Sequence, residues 1–313
     1  MKWAYALNQW NFRMDVFVRH EDHARAFKTI AACGFDHVEL AAGTGRWDNL
    51  GRPEQIALNY GDDFRPMLNR CGIRGVSSFF WDPGQFAEEE GWAFRSTRNP
   101  ADHDAIVESA RPFVDFLAAV GGSQLVARPV GPAWMGPPVS ADDLKVIGEV
   151  WNRVGEVAAA SGVGVSLHYD CLGAVHSRAE LEGLLAATDV GLALDTAELT
   201  VGGIDPVDFY RSHAGRVTHV QLKDTRFADA GEEYRMPGAE STMLKGGAGR
   251  RIERWFYELG TEGGLVDVKA FVGALRDHGY DGWVVVESDQ GGNPAELVML
   301  NRWYLNHELR GLL

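Results

Sequence analysis

The sequence predicts an α/β protein built as a single (β/α)₈ barrel, and three observations lead to that fold. Short apolar runs rich in β-branched residues alternate with longer amphipathic stretches along the chain. Several of these runs follow a glycine that comes directly after a helical pattern. Eight such runs fit within 313 residues. Strands that alternate with helices form a parallel sheet with the helices outside, and eight repeats favour the closed barrel over an open sheet.

The eight predicted strands lie in segments 3–7, 33–40, 71–80, 124–129, 161–168, 190–195, 214–222 and 278–287. In five of them, such as "CGFDHVEL" and "HGYDGWVVVE", a glycine precedes the run, which predicts a left-handed residue that ends a helix. Amphipathic helices are predicted over 21–33, 101–120, 140–161 and 205–213. Ser140 is the predicted N-cap of the third, and Asp205 followed by proline opens the fourth.

We predict one domain over residues 1–313 with two long connections. Residues 81–100 follow the third strand, and residues 225–264 form an insertion after the seventh. Connections this long are usually functional or disordered, and both leave the carboxyl ends of strands, where barrel active sites lie. The stretch "RRIERWFYEL" predicts that residues 225–264 form a folded lid.

Composition argues against several classes of protein. The net charge of −14 and the pI near 5.1 disfavour nucleic-acid binding, which needs a basic face. No apolar run is long enough to span a membrane, and the first residues lack a signal-peptide core, so a cytoplasmic location is expected. Three cysteines without Cys-x-x-Cys spacing are typical of reduced thiols. The segment "LNQWNF" after the first strand is not a glycine-rich dinucleotide loop.

Four predicted strands end on residues of types that can bind a metal ion: His168, Asp195, Gln221 and Glu287. In a barrel, the carboxyl ends of the strands meet at one rim, so these side chains are expected to converge. One imidazole, one amide oxygen and two carboxylates suit a single divalent ion, with Mn²⁺ or Co²⁺ first and Mg²⁺, Fe²⁺ or Zn²⁺ as alternatives. Each residue also has a structural alternative. His168 and Gln221 are candidates for hydrogen-bonded core residues, Asp195 for a turn cap, and Glu287 for an ion pair with lysine or arginine.

Four stretches resemble the sugar phosphate isomerase/epimerase superfamily, the xylose isomerase-like TIM barrels, with inosose dehydratase-like proteins as the nearest group. They are "LALDTAEL", "HVQLKDTR", "GLVDVKAFVGALRDHGYDGWVVVESD" and "NRWYLNHEL". The resemblance is strongest from about residue 160 to the end. It implies a divalent metal held at the ends of the fifth to eighth strands, which are the positions of His168, Asp195, Gln221 and Glu287 here.

The chain departs from the superfamily's pattern at three strand ends. His168 stands where isomerases and epimerases have a glutamate, and "HYD" keeps the first histidine of a His-x-His pattern with Asp170 in place of the second. Gln221 stands where most relatives have histidine, so His219, of the same strand parity, is the alternative ligand. Glu198 replaces the histidine of Asp-Thr-Gly-His and is expected to face substrate.

The resemblance implies proton abstraction next to a carbonyl. Losing the fifth-strand glutamate favours elimination, so we predict a lyase or dehydratase acting on a keto-polyol or keto-sugar, with an isomerase or epimerase as the alternative. Glu287 is the predicted base, His168 the acid, and Lys223 the group that stabilises developing negative charge, unless it forms only an ion pair with a rim carboxylate. The leaving group is expected to be water, as with 2-keto-inositol, or an aglycone, as in 3-keto-glycoside cleavage.

The substrate is expected to be a small sugar or cyclitol, held by residues near the strand ends: Glu39, Arg128, Asp170, Glu198, Asp224, Arg226 and Trp81. Trp10 and Trp134 are further candidates for stacking on sugar C–H surfaces. Arg128 is also a candidate partner for Glu39. Two other classes stay open: an apurinic-site endonuclease, against which the acidic charge argues, and a non-catalytic binding barrel. A homo-oligomer is also open.

Overall fold

Eight parallel strands close into a barrel in the computed structural model, which describes residues 1–11, 20–42, 50–84, 95–228, 254–288 and 291–313. The barrel strands are β1 (Lys2–Ala6), β2 (His37–Ala42), β3 (Gly75–Trp81), β4 (Gln124–Ala127), β5 (Gly164–His168), β6 (Gly191–Asp195), β7 (Val217–Leu222) and β10 (Trp283–Val286). Their order around the barrel is β1-β10-β7-β6-β5-β4-β3-β2. Because all eight strands run parallel, their carboxyl ends form one rim. The predicted barrel fold is confirmed.

Helices surround the barrel. They are α1 (His20–Ala32), α2 (Pro53–Tyr60), α3 (Phe64–Arg70), α4 (His103–Val120), α5 (Ala141–Ala159), α6 (Arg178–Ala187), α7 (Thr196–Val201), α8 (Pro206–His213), α9 (Val268–Asp277) and α10 (Pro294–His307). The predicted caps are confirmed, because the Ser140 hydroxyl accepts from the Asp143 N–H and the Asp205 carboxylate accepts from the Val207 N–H. Among the described residues, no helix combines the length and apolar composition needed to cross a bilayer.

The glycines that precede the strands mostly have the predicted backbone conformation. Gly34, Gly72, Gly162 and Gly279 have φ values of 88°, 89°, 73° and 67°, in the left-handed region where a side chain is disfavoured. Gly215 differs, because the chain leaves α8 through a 3-10 turn over Ala214–Arg216 and does not need a left-handed residue there.

Two different environments lie inside and outside the strand wall. Between strands and helices, large side chains such as Phe27, Phe113 and Trp151 form the main apolar core. Inside the barrel, a separate small cluster contains Ala4, Ala6 and Val285, with Trp283 packed against it. Buried polar side chains on the barrel strands, among them Glu39, Asp195 and Gln221, also lie inside the barrel, so its interior is where buried charge has to be satisfied.

The predicted role of Trp81 in binding substrate is wrong. Its ring is 1% exposed and packs against Phe113 and Trp151 in the apolar core between strands and helices. Trp81 is the last residue of β3, and its side chain leaves the strand on the outer face. Trp10 and Trp134 are half-buried and also pack on the main core.

The predicted lid lies partly outside the described residues. Its two ends are described, and they pair as a short antiparallel ladder of β8 (Asp224–Thr225) and β9 (Phe256–Tyr257). Residues 229–253, and residues 85–94 of the other long connection, are outside the described ranges. The described ends therefore fix where the insertion starts and returns, beside the last residues of β7.

Substituting Gly148 on α5 tests how closely the outer helices pack. A Cβ there would lie 2.2 Å from the backbone oxygen of Ala187, which cannot rotate away. We expect Gly148→Ala to lower the free energy of unfolding by about 1–3 kcal/mol, because α5 and α6 must separate. Urea denaturation followed by circular dichroism measures this change.

Gly273→Ala is the matched control. Gly273 is also inside a helix, α9, but nothing lies within 4 Å of the position that an added Cβ would take. Alanine there should be neutral or stabilise the fold by up to about 1 kcal/mol. Equal effects of the two substitutions would contradict the close contact between α5 and α6.

Candidate active site

Three buried carboxylates surround one ammonium group at the carboxyl rim of the barrel. The Nζ of Lys223 lies 3.0 Å from Asp195 Oδ2, 3.4 Å from Glu287 Oε1 and 3.6 Å from Glu198 Oε1. Asp195 ends β6, Glu198 lies in the first turn of α7, Lys223 follows β7 and Glu287 follows β10. The barrel thus brings to one point residues that are up to 92 positions apart in the sequence.

The position of Lys223 is fixed on two sides. Thr196 donates its hydroxyl to the Lys223 carbonyl at 2.7 Å and accepts the Lys223 N–H at 3.1 Å. The ammonium lies 4.0 Å from the ring centroid of Phe256, within range of a cation–π interaction. Because Phe256 belongs to β9, the returning end of the insertion covers the lysine.

His168 lies beside the same carboxylates. Its Nε2 is 3.4 Å from Asp195 Oδ2, and the ring of Phe80 packs edge-on at a centroid distance of 5.2 Å. Burial favours the neutral imidazole, but the Asp195 carboxylate outweighs it and raises the pKa of His168. Burial likewise opposes ionisation of Asp195, but Lys223 and His168 together lower its pKa. His168 and Asp195 therefore shift each other's pKa toward the charged forms.

Asn8 is a site residue that the sequence reasoning missed. Its Nδ2 donates to Glu287 Oε1 at 2.9 Å, so it orients the predicted base. Asn8 follows β1 in "LNQWNF", and the only signal in the sequence was a polar residue directly after a strand end, the same signal that identified Glu287. It was overlooked because an amide is neutral and common in turns.

A second polar cluster crosses the barrel interior around Glu39 of β2. His219 Nε2 lies 2.8 Å from Glu39 Oε2, Gln221 Nε2 donates to Oε1 at 2.5 Å, and Ser78 donates to Oε2 at 2.7 Å. Burial opposes ionisation of Glu39, but these hydrogen bonds prevail and lower its pKa. The β1 and β10 strands separate β2 from β7, so these bonds span the interior of the barrel.

The Glu39 cluster distinguishes the two candidate ligands on β7. His219 points its Nε2 at Glu39, so the alternative ligand assignment is not supported by the geometry. Gln221 turns its amide N–H to Glu39, because a carboxylate only accepts hydrogen bonds. The carbonyl oxygen of Gln221 therefore faces away from Glu39. Asp195 is the strand neighbour of Gln221, so this oxygen is carried on the side of the barrel where the carboxylates lie.

Arg128 does not contact Glu39, which corrects that expectation. Its Nη1 donates to Asp82 Oδ2 at 2.8 Å, and its Nε lies 2.6 Å from Asp170 Oδ2. The guanidinium is 10% exposed and thus joins the loop after β3 to the loop after β5. Asp170 also accepts the Leu172 N–H at 2.8 Å. The pair forms a polar section of the rim, consistent with a wall that a hydroxylated substrate would meet.

Two residues after Lys223 have structural roles that differ from the predicted contact with substrate. Asp224 is 1% exposed, and its Oδ1 accepts the N–H groups of Thr225 and Val266 at 2.8 and 3.1 Å. It therefore anchors the segment that follows β9. Arg226 is exposed, donates to the Thr261 hydroxyl and lies over the Tyr257 ring. Both side chains hold the base of the insertion together.

Glu198 is the carboxylate of the site whose pKa is raised. Burial raises its pKa to about 7, and Lys223 only partly offsets this. Its Oε2 accepts the N–H of Cys171 at 3.0 Å. Among the described residues, Asp170, Cys171 and Glu198 form a group whose possible metal-binding atoms all lie within 4.8 Å of one another. Burial keeps the pKa of the Cys171 thiol far above its usual range, and a protonated thiol is a poor ligand.

Two of the four predicted ligands lie at a separation that would suit one divalent ion. Two ligand atoms about 2.1 Å from one ion lie about 3 Å apart, and His168 Nε2 and Asp195 Oδ2 are 3.4 Å apart. The buried Nδ1 of His168 has no hydrogen-bond partner in the part of the chain that is described. The Lys223 ammonium pairs with both Asp195 and Glu287, so the ion pair with lysine that was the structural alternative for Glu287 is present in this structure.

Comparison with known proteins identifies the family. A family model described as "Xylose isomerase-like TIM barrel" matches residues 27–303. The chain belongs to this family. An inosose dehydratase of Geobacillus thermodenitrificans is 27% identical over 267 residues, which cover 80% of this chain and 83% of that protein. An inosose dehydratase of Lacticaseibacillus casei is 28% identical over 208 residues, covering 61% and 67%.

Solved structures of similar shape carry several different activities in their names. An L-ribulose 3-epimerase superposes with a TM-score of 0.69 at 16% identity, covering 100% of this chain and 96% of the other. A probable 3-DHS dehydratase of Bacillus anthracis gives 0.68 at 14% identity, covering 98% and 99%. At these identities the likeness shows that this member of the xylose isomerase-like family shares the fold.

The pH dependence of stability tests the anchoring role of Asp224. Burial raises the pKa of its carboxyl from 3.8 to about 6, against the backbone N–H groups that lower it. Between about pH 4 and 6, the folded protein therefore holds a proton that the unfolded chain releases. The unfolding free energy of the wild type should fall as pH rises through this window. The unfolding free energy of Asp224→Asn should not fall in this window. Relative to the wild type it should therefore rise by up to about 3 kcal/mol.

Denaturant unfolding at several pH values measures this difference. Asp224→Ala is the companion variant, because it removes the acceptor of two backbone N–H groups and should cost about 1–3 kcal/mol at every pH. A pH-independent difference between wild type and Asp224→Asn would show that the carboxyl titrates normally in the fold.

Proposed function

We propose that this chain is a divalent-metal-dependent lyase that removes a proton next to the carbonyl of a keto-polyol or keto-sugar and expels a β-substituent. One observation carries the proposal: an imidazole, three carboxylates and an ammonium converge on one buried point at the barrel rim. Buried charges are costly, so a cluster of this density is typical of a functional site.

The proposed metal ligands are His168, Asp195, Gln221 and Glu287, with Mn²⁺ or Co²⁺ as the preferred ion. When bound, the ion supplies Lewis acidity at the substrate's carbonyl oxygen. Glu287, held by the amide of Asn8 at 2.9 Å, has a carboxylate in position to accept the α-proton. If Nε2 of His168 binds the ion, the imidazole is neutral and its proton lies on Nδ1, which has no hydrogen-bond partner among the described residues, so Nδ1–H is the proton that His168 would give to the departing oxygen. The proton balance of an elimination is then complete.

Elimination is favoured by the pairing of one carboxylate with one imidazole. A base and an acid of different chemical type suit removal of a proton and a leaving group from adjacent carbons. The inosose dehydratases among the relatives are named for such a reaction. For this chain we propose water leaving a 2-keto-inositol or an aglycone leaving a 3-keto-glycoside.

An isomerase or epimerase is the second candidate, and Glu198 is the observation that favours it. Its carboxylate lies 3.6 Å from the Lys223 ammonium and has a pKa of about 7. Glu287 lies 3.4 Å from the same ammonium, so two carboxylates border one point, as a proton transfer between two groups requires.

The rim supplies the polar contacts that a sugar or cyclitol needs. Glu198 and Arg128 are 8% exposed each, and Asp170 is 5% exposed, so small parts of their polar surfaces reach the rim. We propose that they bind substrate hydroxyls. In this role Arg128 is already oriented by Asp82 and Asp170, so little ordering is needed on binding.

Product analysis in deuterium oxide separates the two candidates. The protein is incubated with Mn²⁺ and either a 2-keto-inositol or a 3-keto-glycoside, and the molecular masses of the products are measured by mass spectrometry. A lyase gives products lighter by the lost water or aglycone, whereas an isomerase or epimerase gives no loss and incorporates deuterium. If these and related keto-sugars show no deuterium exchange and no loss of a group, the proposed chemistry is contradicted.

Glu287→Gln tests the proposed base. The change removes the proton acceptor and one ligand charge but keeps the shape of the side chain. We expect turnover to fall by at least about 10³-fold while the circular dichroism spectrum is unchanged. Glu308→Gln is the control, because Glu308 lies on the surface, paired with Lys269. Near-normal turnover by Glu287→Gln would exclude Glu287 as the base.

A further inference from the structure

Lys223 and the proposed divalent ion require the same oxygen atoms. The ammonium contacts Asp195 Oδ2 at 3.0 Å and Glu287 Oε1 at 3.4 Å, and both residues are proposed ligands. An ion about 2.2 Å from Asp195 Oδ2 would lie at most about 5 Å from the Lys223 Nζ. The inference that follows rests on the metal site of the proposed function.

Two cations so close together repel each other strongly in this environment. Lys223 is 2% exposed, Asp195 is fully buried and Glu287 is 3% exposed, so water screens the repulsion little. The ammonium and the ion therefore cannot both pair fully with these two carboxylates at the same time. Binding of the ion requires the ammonium to move or to lose part of its pairing.

Glu198 offers the ammonium another partner. Its Oε1 is 3.6 Å from the Lys223 Nζ, and it is not one of the proposed ligands. It is also the most exposed of the three carboxylates, at 8%. The backbone of Lys223 is held by Thr196 at both its N–H and its carbonyl, so only the flexible side chain has to shift.

We propose that Lys223 is a built-in competitor of the divalent ion. Before the ion binds, the ammonium holds Asp195 and Glu287 together and stabilises the arrangement of the ligands. When the ion binds, Lys223 gives up these two oxygens and pairs with Glu198. The positive charge of Lys223 thereby lowers the affinity of the site for the ion.

Titration with Mn²⁺ by calorimetry tests the competition without any substrate. Three proteins are compared: wild type, Lys223→Met and Lys269→Met. Methionine keeps most of the length of the lysine side chain and removes its charge. Lys269, 54% exposed and paired with Glu308, is the matched control for a change in net charge. We expect Lys223→Met to bind Mn²⁺ at least tenfold more tightly than wild type, and Lys269→Met to stay within twofold.

Thermal unfolding provides a second readout. Without metal, Lys223→Met should melt below the wild type, because three buried carboxylates lose their common cation. Saturating Mn²⁺ should raise its melting temperature more than that of the wild type. Lys223→Gln, which can still donate hydrogen bonds to the carboxylates, serves where the methionine variant folds poorly.

The outcomes separate this inference from the proposed metal site. If wild type binds Mn²⁺ and the Lys223 variants bind it equally or more weakly, the competition is wrong and the metal site stands. If neither wild type nor variant binds Mn²⁺ or Co²⁺, the metal site fails and the competition fails with it.

A double-mutant cycle tests the role of Glu198 in receiving the ammonium. Glu198→Gln keeps an acceptor for the Cys171 N–H but removes the charge that would hold the displaced lysine. In wild type it should weaken Mn²⁺ binding by at least fivefold, and in Lys223→Met most of that effect should vanish. An equal factor in both backgrounds would show that Lys223 does not move to Glu198.

Discussion

The structure of the rim depends on the contacts of three buried carboxylates with the ammonium of Lys223. Removing a charge from water is costly, and a buried ion pair repays that cost only when its geometry is good. Asp195, Glu287 and Lys223 come from three neighbouring strands, β6, β10 and β7. A register slip of one residue would turn any of them to the outer face and leave the others unpaired. The register of this half of the barrel is therefore tied to its electrostatics.

The Glu39 cluster gives this arrangement a rigid base. Its hydrogen bonds to His219 and Gln221 join β2 and β7 across the barrel interior. Ala6 and Val285 are the strand partners of Glu39 and Gln221, and their small side chains leave room for this polar layer. A barrel filled with large apolar side chains would give this layer no space. Gln221 connects the two layers, because its amide group binds Glu39 while its strand neighbour Asp195 binds Lys223.

The sequence alone predicted the parts of the structure that follow local rules. Strand and helix alternation identified the barrel, and the caps Ser140 and Asp205 lie where the side chains predicted them. The convergence of His168, Asp195 and Glu287 followed from strand ends in a closed parallel barrel. These inferences held because each depends on periodicity or on chain direction, which are visible in one sequence.

The errors concern side chains whose direction is set by tertiary contacts. Trp81 and His168 both end strands, yet one joins the apolar core outside the barrel and the other faces the carboxylates. Strand alternation gives their faces only when the register at the strand end is known. Asp224 looked like a substrate ligand because it neighbours Lys223, but its partners are backbone groups of Thr225 and Val266. Val266 is 42 residues away in the sequence, so its contact with Asp224 leaves no local pattern.

Asp195 has two titratable neighbours of different chemical type, and both have shifted pKa values. An imidazole, His168, lies on one side of Asp195 and a carboxylic acid, Glu198, follows it on α7. Asp195 raises the pKa of His168, and burial raises that of Glu198 to about 7. Two groups whose pKa values are raised thus flank a carboxylate whose own pKa is lowered. Asp195 contacts both neighbours, at the His168 ring and at the Glu198 backbone N–H. Proton donors and acceptors of different type are then present at one point, as both elimination and epimerisation demand.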